Sequence, residues 1–153
     1  MQRIFERITI PLNEYNSGSF TIDNTNDIIK QCQWPDAVLF GPGLNFEKKS
    51  AEWMNKVLRK IQKPLVLDAS GFLPLIENKI QIGELPAETI LTPHYSEFSR
   101  IFNINVKAVM DDPISAVREV ISSLDGRVLI LKGSTNVIAT SKGKILLMNH
   151  GTP

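Results

Sequence analysis

The sequence has 153 residues with 17 basic and 16 acidic side chains, a length that predicts one domain with a hydrophobic core. The charges are scattered, which argues against nucleic acid or an anionic membrane as a partner. No apolar run approaches about 18 residues and no charged-then-apolar leader follows Met1, so we expect a cytoplasmic protein without a membrane span. The single cysteine, Cys32, cannot form an internal disulfide, and no motif predicts a metal site.

The N-terminal elements carry the weakest patterns. Arg3 to Pro11 alternates loosely between apolar and polar residues, which predicts a strand that is followed by a polar loop. Thr21 to Gln33 is predicted to form a short helix, with Asp23 or Asn24 as its cap. A Trp-Pro-Asp sequence then ends this helix.

A buried strand is predicted at Ala37 to Phe40, because these four apolar residues are followed directly by a Gly-Pro-Gly sequence. Glycine at a position such as Gly43 lets the backbone approach a ligand without an intervening Cβ atom. A plain tight turn is the alternative for the same three residues. Glu47 to Gln62 then shows apolar side chains at helical spacing, which predicts a helix with Trp53 in the core.

A second buried strand is predicted at Leu65 to Asp68 and ends in an acidic residue. Asp68 either contacts a ligand or caps the turn that follows, and the sequence leaves both alternatives open. Residues 73–84 are predicted to be irregular, with at most a short turn of helix. A third short strand is predicted at Thr89 to Leu91.

Leu91 to Phe98 reads Leu-Thr-Pro-His-Tyr-Ser-Glu-Phe and connects the third strand to a helix. Thr92 and Pro93 suit a helix start, and Glu97 would complement the positive end of the helix dipole. His94 then lies at the mouth of the sheet, where ligands bind in open α/β folds. The alternative is that Thr92 and His94 only cap the helix and that Glu97 is a solvated acid.

The last third of the chain predicts a helix, a strand and a hairpin. Asp112 and Pro113 suit the start of a helix over Ile114 to Leu124, and Arg127 to Leu131 is the fourth apolar strand. A hairpin over residues 136–148 has glycine in its turn. Between strand and hairpin, Lys132 to Asn136 offers ammonium, N–H and hydroxyl donors for a nucleotide phosphate or ribose. A strand-to-hairpin turn with a surface lysine is the alternative.

The alternation of strands and helices predicts an α/β fold with a mostly parallel sheet covered on both faces and right-handed crossovers. Because the carboxyl ends of parallel strands meet at one edge of a sheet, four candidate site residues should lie along that edge. These residues are Gly43, Asp68, His94 and Lys132.

Five segments in this order resemble the ADP/ATP-dependent NAD(P)H-hydrate dehydratases of the ribokinase-like superfamily. The resemblance implies a three-layer sandwich that ends in a hairpin, with residues 1–153 forming a single, incomplete domain. It also implies a role in nicotinamide-nucleotide repair, in which ADP or ATP phosphorylates the hydroxyl of hydrated NADH or NADPH and phosphate is then eliminated. The segments are Ala37 to Asn45, Lys63 to Phe72, Ile90 to Arg100, Leu129 to Ala139 and Asn149 to Pro153.

The resemblance also implies roles for individual residues. Gly43 and His94 would contact the hydrated dinucleotide, with Asp68 beside them. The adenine-nucleotide loop would consist of Lys132, Gly133, Ser134, Thr135 and Asn136. The cofactor would be ADP or ATP, with Mg²⁺ as a further candidate.

Two expectations concern what the chain lacks. The family's catalytic aspartate lies in a Gly-Thr-Gly-Asp segment that would follow Pro153, so we expect no catalytic residue within these 153 residues. We also expect apolar surface that would otherwise be covered, and therefore self-association into a homo-oligomer.

Two other functions remain open from the sequence. A small-molecule kinase of the same superfamily, of the carbohydrate, hydroxymethylpyrimidine or thiazole type, would share the nucleotide loop. A noncatalytic remnant or assembly domain built on the same fold is the other alternative.

Overall fold

The computed structural model describes residues 8–12, 24–44 and 47–149 of the chain. The strands are separated by helices up to β4, and the last three strands follow one another directly. The helices are α1 (Thr25–Gln31), α2 (Ser50–Leu58), α3 (Leu73–Ile76), α4 (Tyr95–Phe102), α5 (Val106–Asp111) and α6 (Pro113–Val120). The strands are β1 (Val38–Phe40), β2 (Leu65–Leu67), β3 (Thr89–Leu91), β4 (Val128–Leu131), β5 (Asn136–Thr140) and β6 (Ile145–Met148).

The six described strands form one sheet in the order β1-β2-β3-β4-β5-β6. The first four are parallel, with Leu39 opposite Val66 and Val66 opposite Ile90. Strand β5 pairs antiparallel to β4, and β6 pairs antiparallel to β5, so that β5 and β6 form the hairpin that the sequence predicted. The α/β class, the mostly parallel sheet and the four central strand positions are therefore confirmed.

The described helices pack one on the next along one face of the sheet, and they bury that face. Every second strand residue points toward them, as the period of a β-strand requires. The residues on this face are almost fully buried and form the main core together with Trp53, Met54, Phe72 and Phe98. They include Phe40, Leu65, Leu67, Leu91, Leu129, Leu131, Val137 and Ala139.

The opposite face of the sheet is only partly covered by the described residues. Leu39 is 63% exposed and Leu146 is 49% exposed, while Val66, Ile90 and Ile138 are half-buried. The expected cover on both faces is therefore not found in the part of the chain that the structure describes. Consecutive strand order explains this, because successive crossovers of one hand return each helix to the same side of the sheet.

Several element boundaries differ from the predictions. The predicted helix over residues 47–62 is shortened to α2, and the helix predicted over 114–124 becomes α6 followed by the 3₁₀ turn Ile121–Leu124. Residues 73–84 contain α3 and the 3₁₀ turn Ile82–Glu84. Helix α5 was missed, although Asn105 caps it by accepting a 2.8 Å hydrogen bond from the Lys107 N–H.

The start of the chain lies mostly outside the described residues. Of the strand predicted at Arg3 to Pro11, only residues 8–11 are described, and they belong to no strand. Asp23, one of the two predicted caps of α1, also lies outside the described residues. Asn24 occupies the cap position of α1 without a capping hydrogen bond from its side chain. None of the described helices has the length and apolar character that a membrane span requires.

A buried arginine joins the start of β4 to the segment before β3. Arg127 is only 7% exposed, and its guanidinium donates to the backbone carbonyls of Gly83, at 2.8 Å, and Leu85. It also donates to the Pro86 carbonyl and forms a 2.8 Å ion pair with Asp125. These carbonyls belong to an irregular connection without strand partners, so the arginine supplies the donor that the buried Leu85 carbonyl needs and ties the connection to β4.

Replacing this arginine should destabilise the fold. We expect Arg127→Met to lower the free energy of unfolding by about 3 kcal/mol, because a buried guanidinium with several acceptors is lost and the buried Leu85 carbonyl loses its donor, while the apolar stem is kept. Arg118→Met, at an exposed position of α6, is the matched control and should change stability by less than about 0.5 kcal/mol. Urea denaturation measures both, and equal midpoints for the two variants would contradict this role of Arg127.

Candidate active site at the carboxyl edge of the sheet

The four predicted site residues all follow the carboxyl ends of parallel strands. Gly43 follows β1, Asp68 follows β2, His94 follows β3 and Lys132 follows β4. Backbone hydrogen bonds continue the strand pairing into these segments, so the segments remain side by side beyond the regular sheet. The bonds are Asp68 N to Phe40 O at 3.1 Å, Thr92 N to Leu67 O at 3.1 Å and Lys132 N to Pro93 O at 2.8 Å.

The two glycines of the Gly-Pro-Gly turn have different surroundings. Gly41 has a φ of +126°, and a Cβ there would lie 1.7 Å from the Asp68 carbonyl oxygen, so this glycine allows two loops to touch. Gly43 has a φ of +77°, and no described atom lies within 4 Å of where its Cβ would be. The open space above Gly43 suits the predicted approach of a ligand, and the contact itself stays a prediction.

Asp68 and Lys132 form an ion pair across the end of β3. The Lys132 Nζ atom lies 2.6 Å from Asp68 Oδ1, and the Lys132 side chain is 42% exposed. Asp68 occupies the N-cap position of the turn after it without a capping hydrogen bond from its side chain, and its carboxylate is held by Lys132 instead. Partial burial tends to raise the pKa of Asp68, but the hydrogen bond and the positive charge of Lys132 outweigh it, so the pKa lies below its usual range.

The segment between β3 and α4 is extended for longer than predicted. Thr92 and Pro93 do not start the helix, because Thr92 still pairs with the end of β2 and its hydroxyl donates to the Leu67 carbonyl at 3.3 Å. Helix α4 begins at Tyr95, with His94 as its N-cap. The parallel pairing that β3 makes with β2 therefore continues for one residue beyond the strand end and delays the helix.

His94 caps helix α4 through its own imidazole. Its Nδ1 accepts hydrogen bonds from the backbone N–H groups of Ser96, at 3.2 Å, and Glu97, at 3.3 Å. The Glu97 carboxylate accepts from the His94 N–H at 2.9 Å, which completes a capping box. Since Nδ1 is an acceptor, a neutral ring carries its proton on Nε2, which lies 3.4 Å from Glu97 Oε1. His94 thus caps the helix, as one alternative predicted, and it also lies at the carboxyl edge of the sheet, as the other predicted. Its side chain is 55% exposed.

The predicted nucleotide loop has several of its donors engaged within the chain. The Gly133 N–H donates to Asn136 Oδ1 at 3.2 Å, and the Thr135 hydroxyl donates to Asn149 Oδ1 at 3.1 Å. Ser134 is exposed. A phosphate at this loop would therefore meet the half-exposed Lys132 ammonium, which Asp68 also contacts, and the exposed Ser134. It would have to replace the internal acceptors of the Gly133 N–H and the Thr135 hydroxyl.

Tyr95 is a residue of this edge that the sequence did not single out. Its ring lies against Gly133, so that a Cβ at position 133 would be 2.2 Å from the phenolic oxygen. The pairing of His94 with Lys132 as a parallel β-bridge brings the two segments together. In the sequence, the only indication of this contact is that glycine follows Lys132 at a strand end, which does not identify Tyr95 as the neighbour.

A second, apolar cleft of about 440 Å³ lies beside the edge strand β1. It shares Gly41 and Pro42 with the polar edge and is lined mainly by apolar side chains such as Ile10 and Trp53. Cys32 also lines this cleft, and burial raises the pKa of its thiol. This environment suits the predicted structural role of Cys32 and opposes formation of the reactive thiolate.

The carboxylates of the edge do not form a metal site. Among the described residues no group of three or more His, Cys, Asp or Glu side chains could hold an ion. Asp68 faces the Lys132 ammonium and Glu97 accepts from the His94 backbone. A magnesium ion that enters with a nucleotide would have to take its ligands mainly from phosphate and water, as Mg²⁺ commonly does.

A parallel sheet with polar loops at its carboxyl edge defines an open α/β protein, and similarity to solved structures shows that the fold is ribokinase-like. A ribokinase-like protein from Enterococcus faecalis superposes with a TM-score of 0.70 at 20% identity, over 86% of this chain and 45% of that one. The sequence model of the NAD(P)H-hydrate dehydratase family matches residues 5–153. The chain belongs to this family.

Individual relatives agree with this assignment. The bifunctional NAD(P)H-hydrate repair enzyme Nnr of Thermofilum pendens is 32% identical over 93% of this chain. The ADP/ATP-dependent NAD(P)H-hydrate dehydratase of Bacillus subtilis, co-crystallised with ATP and Mg²⁺, superposes with a TM-score of 0.61 at 26% identity, over 82% of this chain. The chain spans 27% of the first relative and 44% of the second.

The ion pair at the edge predicts an acid-sensitive contribution to stability. Because the pKa of Asp68 is depressed in the folded chain, its contribution is present above the ordinary value of 3.8 and is lost as the pH falls below it. At pH 7 we expect Asp68→Asn to lower the free energy of unfolding by about 1 kcal/mol.

The difference between wild type and Asp68→Asn should shrink as the pH falls from 4 to 2, which urea denaturation at several pH values measures. In a Lys132→Met background the same substitution should cost less and should show a weaker pH dependence. An undiminished cost of Asp68→Asn at pH 2 would contradict the depressed pKa.

Proposed function

We propose that this chain provides the ligand-binding edge of an ADP- or ATP-dependent NAD(P)H-hydrate dehydratase. The reaction transfers phosphate to the hydroxyl of the hydrated nicotinamide ring and then eliminates it, which restores NADH or NADPH. The observation that carries the proposal is the ammonium of Lys132, which Asp68 holds at 2.6 Å beside a loop with further donors. Membership of the family supports the choice of reaction.

Lys132 is the group that we propose for nucleotide phosphate. An ammonium has three donors, and the ion pair with Asp68 uses one of them while the side chain stays 42% exposed. The carboxylate limits the rotamers of the lysine, so the ammonium loses less side-chain entropy when a phosphate binds. The Gly133 N–H and the exposed Ser134 would extend this phosphate contact along the loop.

His94 and Gly43 are the groups that we propose for the hydrated dinucleotide. The cap fixes the tautomer of the neutral imidazole, since Nδ1 accepts from the helix and the proton is therefore on Nε2. This N–H would donate to the ligand in place of Glu97 Oε1, which lies 3.4 Å away. The backbone at Gly43 is open to close approach. Both groups follow strands that neighbour β2, so a ligand between them would pass over Asp68.

The chemical step requires an acid–base group in addition to these binding groups. The carboxylates of Asp68 and Glu97 are each held by a donor within the chain, Asp68 by Lys132 and Glu97 by the His94 N–H. Neither is therefore suited, in this arrangement, to take the proton of a substrate hydroxyl. The family resemblance assigns that role to the aspartate of the Gly-Thr-Gly-Asp segment.

Self-association accompanies this proposal. The partly uncovered sheet face, with Leu39 at 63% exposure and Met148 at 48%, offers apolar surface that a second copy of the chain would bury.

Binding of the nucleotide and binding of the hydrated dinucleotide should respond to different substitutions. We expect Lys132→Met to weaken binding of ADP or ATP by about 1 to 3 kcal/mol, the range for loss of a charge-assisted hydrogen bond. His94→Asn keeps a good N-cap but removes the imidazole, so it should weaken binding of hydrated NADH and leave ADP affinity near that of wild type.

Titration calorimetry with ADP and with hydrated NADH measures both variants. An equal loss of both ligands in either variant would point to general damage of the edge. A chain that binds ADP but not hydrated NADH would favour the small-molecule kinase alternative, and binding of neither would favour the noncatalytic one.

The 153-residue chain assayed alone should show no measurable dehydration of hydrated NADH with ADP or ATP. Phosphoryl transfer depends on donors and a base that are aimed at the charge that develops in the transition state, and the two carboxylates of this edge are already engaged. Nicotinamide absorbance follows the reaction, with a complete family enzyme as the positive control. Turnover at the rate of that control would show that the base lies among these residues.

A further inference from the structure

We propose that Tyr95 is a positioning residue for the loop Lys132 to Asn136, and that its ring is the reason for glycine at position 133. The first residue of α4 would thus support the loop to which we assign the nucleotide. The link to nucleotide affinity rests on the proposed function, whereas the link to loop geometry does not.

The steric argument begins with the backbone of Gly133. Its φ lies outside the left-handed region, in contrast to Gly41, Gly43, Gly126 and Gly143. The value of φ therefore does not itself require glycine at this position. A Cβ at position 133 would nevertheless lie 2.2 Å from the Tyr95 phenolic oxygen and 2.5 Å from its Cζ. The neighbouring ring, and not the backbone conformation, excludes a side chain here.

The ring is held in place from several directions. Tyr95 packs against the hydrophobic core and is half-buried. Its backbone starts α4 immediately after His94, which the capping box fixes. The Lys132 N–H donates to the Pro93 carbonyl at 2.8 Å, and Lys132 forms a β-bridge with His94. The residues that precede Tyr95 are thus paired through the backbone with Lys132, the first residue of the loop.

This arrangement makes the loop depend on the ring. The tip of the ring lies against Gly133, whose N–H donates to Asn136 Oδ1 and closes the loop. Without the ring tip, the loop loses the contact on one side and has more conformations to give up when it binds a ligand. With an added methyl group at position 133, either the ring or the loop must move.

A double-mutant cycle of Gly133→Ala and Tyr95→Leu tests the proposal. Leucine keeps an apolar side chain against the core but does not reach Gly133. In the nucleotide-free chain, we expect Gly133→Ala alone to shift the ¹H–¹⁵N amide signals of residues 132–136, and to shift them much less in the Tyr95→Leu background. Equal shifts in both backgrounds would overturn the proposal.

ADP titration of the same four proteins gives the functional readout. We expect each single variant to bind about tenfold more weakly, and the double variant to bind no more weakly than Tyr95→Leu alone. If the loss of ADP affinity in the double variant equals the product of the two single losses, the residues are not coupled and the proposal is contradicted. If the wild-type chain binds no ADP, the proposed function fails, but the amide signals still decide the coupling.

Tyr95→Phe separates the ring from its hydroxyl. Because the proposal assigns support to ring packing, phenylalanine should keep the amide signals and the ADP affinity within about twofold of wild type. A loss as large as that in Tyr95→Leu would mean that the hydroxyl makes a direct contact, and this result would overturn the positioning role. Thermal unfolding of each variant checks that the fold is intact.

Discussion

The parallel pairing of β1 to β4 is the constraint on which the site depends. It aligns four strand ends at one edge, and backbone bonds carry the pairing one residue further at Asp68, Thr92 and Lys132. Once the backbones are fixed at this spacing, the Lys132 and Asp68 side chains reach each other across the end of β3. The polar contacts of the edge are therefore a consequence of strand register, which the burial of one sheet face specifies.

The sequence predicted the sheet well because its signals there are local. Four short apolar runs, each followed by turn or loop residues, marked the central strands, and a glycine turn marked the hairpin. That the described helices cover one face of the sheet was not predicted, since an apolar run such as Leu65–Leu67 has the same pattern whether its second face is covered or half-open. Helix α5 was missed because one turn and a half of helix has little periodicity.

The sequence predicted where the candidate site residues lie in the fold but not which contacts they make. Strand ends indicated Asp68, His94 and Lys132, whereas their partners depend on register and rotamers that no local pattern shows. The imidazole as a helix cap, the engaged donors at Gly133 and the ring of Tyr95 are examples. Arg127 was interpreted only as the first residue of a strand, because the carbonyls before β3 that it binds lie more than 40 residues away along the chain.

The order of the strands has a consequence for how the sheet is assembled. Each strand from β2 to β6 pairs with the strand that precedes it in the chain. Every new strand therefore finds its template already synthesised, and no pairing has to wait for a distant segment. Short sequence separation between partners lowers the entropy of loop closure and speeds folding. The described sheet is thus suited to growth from β1 toward β6 as the polypeptide leaves the ribosome.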